Sequence, residues 1–591
     1  MKALHIGAIF IFLALIAVAV PDLVVHAQSQ EALEVAQTAG LGTGRSLPQI
    51  IGTIINVFLG FLGVIFLILV IYSGFLWMTA GGDDEKVNRA KQTLIRGAIG
   101  LAIVLSAFAI TSFIMNALLG ATGINSGSGP GGTVAIERFS GALGSGPLRD
   151  HYPLRNQTDV ARNTNIVVTF KDAINPADVI LGYDTNGTPT DASDDVVATA
   201  INAENVRIYR TIDGEEGAIA NVSVALTEDF KTFVFNPAEY LGSATEDVSY
   251  SVFLSPDIQN LAGQDVFVGG NNSGYLWSFE TGTFIDVTAP TIKSVVPMSG
   301  ATYDRNIAIQ VTFSEAVDPT AASGIREAAS GFSNILTSGG SGILSGTYTL
   351  SNGYKTVTFL TDDVCGTNSC GETIYCLPGS QAISVDVKAA TPGATPPQVD
   401  TFPYNGIADM AANSLDGNDD GVAGDGYVWG FSTTNDINLT GPAIESINPN
   451  ILAEDVPLDQ PITAVFNDVL LANSISSDDI FLTNIEVSGG MSHEQWYRFD
   501  VDFLAADGSE LSPGVVPQKS EVTIAHGTFL ESVNGLSYRY GVEFTEGVRN
   551  AYQNCYVPAN GPTATGAACG VTSAAPYCCN GSASAVACDL F

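Results

Sequence analysis

The sequence predicts a multidomain chain: a signal peptide, then a two-helix transmembrane hairpin, then three tandem all-β sandwiches. Three observations lead there. Two long apolar segments flank one short charged loop near the N-terminus, a Gly/Ser-rich stretch follows them, and a pattern of short alternating strands then recurs three times.

The charge is divided in the same way. Residues 1–132 carry six acidic and six basic side chains, whereas the remainder carries 55 and 17, so the whole net charge of −38 lies downstream. Such a surface repels phosphate backbones, which excludes nucleic acid as a partner and leaves divalent cations or basic partners as attracted species.

Met1 and Lys2 precede an apolar run, Ile6 to Val20, and Val25-His26-Ala27 offers small residues for cleavage before Gln28. This is the shape of a signal peptide over 1–27. An uncleaved anchor is the competing reading, but Pro21 and Asp22 end the run short of the roughly 20 residues a span needs.

Residues 28–119 form the hairpin, with helices expected at about 48–80 and 86–119. Ile50 to Met78 is free of charge, and Leu94 to Leu119 contains only Arg96. Charge at the bilayer centre costs about 2.5–3.5 kcal/mol on insertion scales, so Asp83, Asp84, Glu85, Lys86, Arg89 and Lys91 must lie outside the hydrocarbon. Lys86, Arg89, Lys91 and Arg96 place that loop in the cytoplasm and both helix ends outside. Gly52, Asn56, Gly60, Gly63 and Gly74 share one stripe of the first helix, and Ala98, Ala102, Ser106, Ala109 and Asn116 share one of the second. Small residues let helices approach in lipid, either within the hairpin or between subunits.

The run "LPQIIGTIINVFLGFLGVIFLILVIYSGFLWMTAGGDDEKVNRAKQTLIRGAIGLAIVLSAFAITSFI" resembles the TrbC-like pilins of type IV secretion and conjugation systems. The resemblance rests on the export signal, the two apolar helices, the Tyr72–Trp77 aromatic edge, the Ala80-Gly81-Gly82 break and the short basic loop. It implies storage as a membrane hairpin, in contact with lipid, and assembly with itself or with other pilus and secretion subunits. Family members usually stop soon after the second helix, and this chain continues to Phe591.

Residues 120–132, "GATGINSGSGPGG", read as a flexible linker. Beyond it, three segments ending at Phe170, Phe313 and Phe466 each place a proline 16 or 17 residues before the phenylalanine, and "GYLWSFETG" at Gly274 returns as "GYVWGFSTT" at Gly426. Period-two patterns rich in Val, Ile, Tyr, Phe and Thr suit half-buried strands. Domains are expected at 133–284, 285–437 and 438–552, with a Cys-rich tail at 553–591. Tyr540, Val542, Val548 and Asn550 match Tyr250, Val252, Ile258 and Asn260, yet the third unit lacks the Trp-x-Phe closing strand. The segments "IVVTFKDAINP" and "IQVTFSEAVDP" resemble bacterial Ig-like domains of the SbsA kind, found in surface-layer and adhesive proteins. That resemblance implies Ig-like sandwiches, with Trp277 and Trp429 as core residues.

Eight cysteines form two groups: Cys365, Cys370 and Cys376, then Cys555, Cys569, Cys578, Cys579 and Cys588. No histidine keeps zinc-ligand spacing with them, so disulfides are expected in an exported chain. Three and five cannot both close internally: one bridge crosses between the groups, or a thiol stays free. In "LDGNDDGVAGDGYVW", Asp416, Asn418, Asp420 and Gly421 reproduce the opening of a calcium loop, with Asp425 as the nearest later acid and Tyr427 where the closing glutamate would stand. An ordinary Asp/Gly turn is the competing reading. "YDTNGTPTDASDD" from Tyr183 is a weaker case of the same kind. Calcium is the one cofactor suggested.

Downstream of the signal, His151, His493 and His526 are scattered, and no H-E-x-x-H, G-x-S-x-G or phosphate-loop motif occurs, so no catalytic residue is assigned. The expectation is a non-enzymatic, membrane-anchored surface protein whose extracellular domains serve as stalk or as adhesin for an unidentified protein or glycan. A minor or tip pilus subunit is the first form of it, a non-polymerising adhesin the second, and a hydrolase a distant third.

Overall fold

A computed structural model describes residues 146–558, except 190, 269–273, 327–331, 341, 369, 452, 487–496, 513 and 530–537, together with 88, 91, 92, 577–579 and 582–584. The chain divides into two compact units, Met1–Ile136 and Glu137–Phe591. In the first, Asn88, Lys91 and Gln92 are helical and exposed, within the helix expected from residue 86. The signal peptide, both apolar segments and every helix-packing residue lie outside the described residues. Among those described, no helix is long and apolar enough to cross a membrane.

The second unit contains three sandwiches with one plan. In the first, β1 (Leu148–Tyr152), β2 (Ile166–Phe170), β4 (Val222–Leu226) and β5 (Thr232–Pro237) make a sheet in the order β1-β2-β5-β4, facing β3 (Val206–Arg210), β6 (Val248–Leu254) and β7 (Tyr275–Thr281) in the order β3-β6-β7. In the second, β8 (Ile292–Val296), β10 (Ile309–Phe313), β13 (Gly346–Ser351) and β14 (Thr356–Thr361) repeat the four-stranded order. Opposite them stand β9 (Thr302–Tyr303), β11 (Ile335–Gly339), β12 (Gly342–Ile343), β17 (Ala382–Val387) and β18 (Tyr427–Thr433), while β15 (Val364–Thr367) and β16 (Thr373–Tyr375) form a separate hairpin. The third pairs the sheet β19 (Ile444–Asn448), β20 (Ile462–Phe466), β23 (Lys519–His526), β22 (Tyr497–Leu504) with β21 (Ile480–Glu486) and β24 (Tyr538–Phe544). Its second sheet has two described strands and no counterpart of β7 or β18 among the described residues, matching the missing Trp-x-Phe motif. Strands β25 (Tyr577–Cys579) and β26 (Ser582–Ser584) form a hairpin in the tail.

The repeated sequence signals have structural reasons. Pro153, Pro297 and Pro449 all follow cis peptide bonds. The Trp277 indole N–H donates to the Pro153 carbonyl, and that of Trp429 to the Pro297 carbonyl, each at 3.1 Å, which ties the proline motif to the tryptophan motif. Both tryptophans are buried. Gly274 opens β7 at φ +77°, where a Cβ would lie 2.0 Å from the Leu254 carbonyl oxygen, so only glycine fits. Short helices follow the β2 and β10 strands because Asn175 and Asp318 cap them and Pro176 and Pro319 start them: α1 (Pro176–Val179) and α2 (Pro319–Ser323).

Alternation alone predicts half-buried strands, but β2 and β10 are covered on both faces. Ile166, Val168 and Phe170 point into the first core, while Val167 and Val234 pack against Tyr354 and Met410 of the second sandwich. On β10, Gln310 turns outward and meets the third sandwich, donating to the Leu470 carbonyl at 2.9 Å and accepting from the Ala472 N–H at 2.9 Å. Each sandwich thus docks on the outer face of the preceding four-stranded sheet, and one apolar core runs through the second and third. Lys171 of the first reaches Asp478 of the third at 3.1 Å. The three sandwiches form one packed block.

Candidate functional site

The turn between β13 and β14 is where the three sandwiches meet. Tyr354 Oη is 3.0 Å from Thr169 Oγ1 of the first sandwich, and Asn352 exchanges hydrogen bonds with the backbone of Val501 in the third. Beside this turn lies a cavity of about 330 Å³ whose lining includes Tyr152, Glu315, Lys355, Asp409, Arg498 and Asp500. Its two cations share one carboxylate: Arg498 and Lys355 approach Asp500 at 2.6 and 3.5 Å. Asp150 is half-buried nearby, and desolvation pushes its carboxyl up to about 6 despite the neighbouring Arg498.

A second acidic group in the same wall consists of Asp286, Glu315 and Asp409, whose carboxylate oxygens all lie within 4.8 Å of one another. Burial pushes Glu315 up to about 7, and Asp286 adds repulsion; Asp409, 1% exposed, is raised further by burial and by Glu315. Sequence reading singled out none of these three, because they come from the segment between β7 and β8, the turn just after β10 and a loop far downstream.

Among the described residues that line the cavity there is no histidine, cysteine or serine. The described histidines are held by other groups: His151 Nδ1 and Nε2 lie 2.8 Å from the Pro153 carbonyl and Tyr275 Oη, and His526 faces two backbone carbonyls. Burial lowers His151 to about 3, so its ring is neutral at physiological pH. His493 lies outside the described residues.

In the expected calcium loop, Asp416 is buried, and its carboxylate accepts from the N–H groups of Asp420 (3.3 Å) and Gly421 (2.8 Å). Asn418 Oδ1 accepts from the Asp420 N–H at 3.0 Å, and its amide donates to Asp425 at 3.4 Å. These side chains come together and cap their own turn. In the weaker candidate from Tyr183, Asp195 is engaged by Arg326 of the second sandwich at 2.8 Å and by Tyr183 Oη at 2.6 Å.

Two disulfides are present among the described cysteines, Cys365–Cys376 and Cys370–Cys555. The second crosses between the two sequence groups and pins the β15–β16 hairpin to the end of the third sandwich, so residues 553–556 of the expected tail are buried in the fold. Glu372 sits beside this bridge and pairs with Arg549 at 2.7 Å. The side chains of Cys569, Cys578, Cys579 and Cys588 lie outside what is described. Because Cys370–Cys555 closes a loop of 185 residues, replacing both by serine is expected to cost about 2–4 kcal/mol, read by urea unfolding with Cys365–Cys376 intact. An unchanged midpoint would contradict this.

Comparison with known proteins bears out both resemblances. Residues 43–114 match the type IV secretion system pilin family, and residues 286–368 match a bacterial Ig-like domain family. No curated protein matches the sequence. Among solved structures, domains 1–6 of the surface-layer protein SbsC align at 12% identity over 81% of this chain and 61% of that one, with a TM-score of 0.15. The human desmocollin-1 ectodomain aligns at 9% identity over 68% and 56%, with a TM-score of 0.13. The chain therefore spans about three fifths of the length of SbsC domains 1–6, and these distant likenesses carry no functional inference. The pilin and Ig-like matches together indicate a surface or envelope-associated protein.

Proposed function

We propose that this chain is an exported, hairpin-anchored surface protein that joins a type IV secretion pilus as a minor or tip subunit and presents its three sandwiches outside the cell. The observation that carries the reading is the pilin match at 43–114 followed by a packed block of three sandwiches. A helix pair offers a footprint of roughly 10 by 20 Å, whereas a single 150-residue domain already has a radius of gyration of about 15 Å. A tube in which every subunit carried such a block would be sterically crowded, which favours occasional or terminal incorporation. The hairpin supplies the contacts with lipid and with other subunits, Lys86, Arg89, Lys91 and Arg96 stay cytoplasmic, and the acidic block binds an extracellular protein or glycan without turnover.

Purified filaments test this. Antibody against the sandwich block should decorate filament ends or sparse positions, and protease added to intact cells should release the block. Uniform absence from filaments, with the protein recovered as detergent-soluble monomers, would favour the non-polymerising adhesin; a block protected from external protease would overturn both.

A further inference from the structure

In the first two sandwiches the second sheet is completed by a strand that opens on a glycine. β7 lies antiparallel on β6 with Tyr275, Trp277 and Phe279 opposite Leu254, Val252 and Tyr250, and β18 lies on β17 with Tyr427, Trp429 and Phe431 opposite Val387, Val385 and Ile383. The glycine is needed in both: a Cβ on Gly274 would lie 2.0 Å from the Leu254 carbonyl oxygen, and one on Gly426 2.7 Å from that of Val387. The covered rows on β6 and β17 are buried. In the third sandwich the corresponding row of β24, Tyr540, Val542 and Phe544, is only half-buried, and no further strand of that sheet is found among the described residues.

The loop that precedes β7 and β18 recurs in the third sandwich. The N–H groups of Asn260, Asp409 and Asn550 each donate to the carbonyl four residues on, at 2.9, 3.0 and 3.0 Å. Those of Val266, Leu415 and Tyr556 donate back to the carbonyls of Ile258, Ile407 and Val548 at 3.1, 3.1 and 2.7 Å. Gly274 and Gly426 follow Val266 and Leu415 by eight and eleven residues, and Gly566 follows Tyr556 by ten. From these glycines run "GYLWSFET", "GYVWGFST" and "GAACGVTS". Ala567, Cys569 and Val571 thus take the places of the tyrosine, tryptophan and phenylalanine. Thr281 and Thr433 end the first two strands buried, with their hydroxyls on backbone carbonyls, and Ser573 keeps a hydroxyl at that place.

The third core is built for smaller side chains on that strand. Phe544 stands where β6 has Leu254 and β17 has Val387, and Tyr556 stands where the first two sandwiches have Val266 and Leu415. Their rings lie 5.7 and 5.6 Å from that of Phe466. Aromatic volume that the closing strand supplies in the first two sandwiches therefore comes from the facing side in the third, an exchange that cores tolerate when total volume is kept.

We infer that residues 566–573 of the same chain, which lie outside the described residues, are the closing strand of the third sandwich, antiparallel to β24 with Ala567, Cys569 and Val571 opposite Phe544, Val542 and Tyr540. The connection from Tyr556 falls between those of the other two units in length, which favours this chain over a second copy as the donor, and the Cys370–Cys555 bridge fixes its start. Such a strand removes the open sheet edge at which another chain would add by β-pairing. The inference stands whether or not the hairpin polymerises.

Hydrogen exchange on the full chain in detergent provides the test. Amides throughout β24 should be protected like those of β6, whereas an open edge leaves alternate amides exchanging freely. Val571→Asp places a charge in the core row and should speed exchange of β24 about tenfold or more. Thr572→Asp, at the place of Glu280 on the outward row, should leave it unchanged. Should Val571→Asp fail to fold while Thr572→Asp folds, that contrast supports the same register, and wild-type protection of β24 remains an independent check. Freely exchanging alternate amides in wild type, equal responses to the two substitutions, or protection that is present in dimers and lost on dilution to monomer would overturn the inference; the last would assign the strand to a second copy.

Discussion

Replacing Arg326 by methionine is expected to destabilise the sandwich block by about 3–5 kcal/mol at neutral pH, because it strands a buried charge. Arg326 leaves α2 of the second sandwich, its N–H donates to the Leu226 carbonyl at 3.0 Å, and its guanidinium lies over the Phe230 ring. Two of its nitrogens engage Asp195 at 2.8 and 3.2 Å. The paired side chains are 5% and 1% exposed, so water cannot replace either partner. Desolvation alone would raise the Asp195 carboxyl, but the Arg326 and Tyr183 hydrogen bonds outweigh it and hold the group below its ordinary value. Without Arg326 only the Tyr183 hydrogen bond opposes the desolvation, and the folded-state pKa is expected to rise above the unfolded one. Stability of the variant should then fall as pH rises through that raised value, and its deficit should shrink on acidification toward the ordinary aspartate range. Chemical denaturation at neutral and acid pH reads this directly. A double variant with Asp195→Leu should recover much of the loss, since an apolar pair can substitute for a buried ion pair. A deficit below about 1 kcal/mol at neutral pH, or one independent of pH, would show that the pair is open to solvent.

The second large effect is expected at Trp277, which is 1% exposed and packs with His151 at a ring separation of 4.4 Å and with Tyr275 at 5.6 Å. Truncation to alanine removes most of a large side chain from the centre of the first core, at a cost of about 3–5 kcal/mol. Trp277→Phe keeps most of the volume and loses the hydrogen bond to the Pro153 carbonyl, which retains His151 as a partner, so about 1 kcal/mol is expected. Equal losses in the two variants, measured by urea denaturation, would show that the indole N–H rather than the ring volume is what the site requires.

The strands, their order of appearance and their repetition were readable in the sequence because each depends on neighbours two to twenty positions away. The proline before each unit, Gly274 with Tyr275 and Trp277, and the capping pairs Asn175-Pro176 and Asp318-Pro319 all act within one sandwich. The match of Tyr250 and Asn260 to Tyr540 and Asn550 was equally visible, and it marks the loop that carries Asn550 in the third sandwich. Asp409, the counterpart in the middle repeat, was hidden because the long insertion between β17 and β18 breaks the constant offset. The calcium-like spacing of Asp416 to Asp425 was visible too, yet spacing does not distinguish a calcium loop from an ordinary turn, and the Asp416 carboxylate accepts from the N–H groups of Asp420 and Gly421, a pattern both share.

What the sequence determined by itself was local: two apolar segments flanking a charged loop, three β units with period-two strands, an excess of acidic side chains downstream and cysteines in two groups. What only the tertiary structure decided was who covers whom. Val167 and Gln310 look like outward positions on half-buried strands, and they are covered by sandwiches whose contacting residues, Tyr354, Met410, Leu470 and Ala472, lie far along the chain. The same holds for Cys370 with Cys555 and for Asp286, Glu315 and Asp409. Side-chain periodicity records which face of a strand is apolar or polar, whereas the partner on that face is chosen by shape, hydrogen bonding and charge across the joint, none of which leaves a fixed spacing in the sequence.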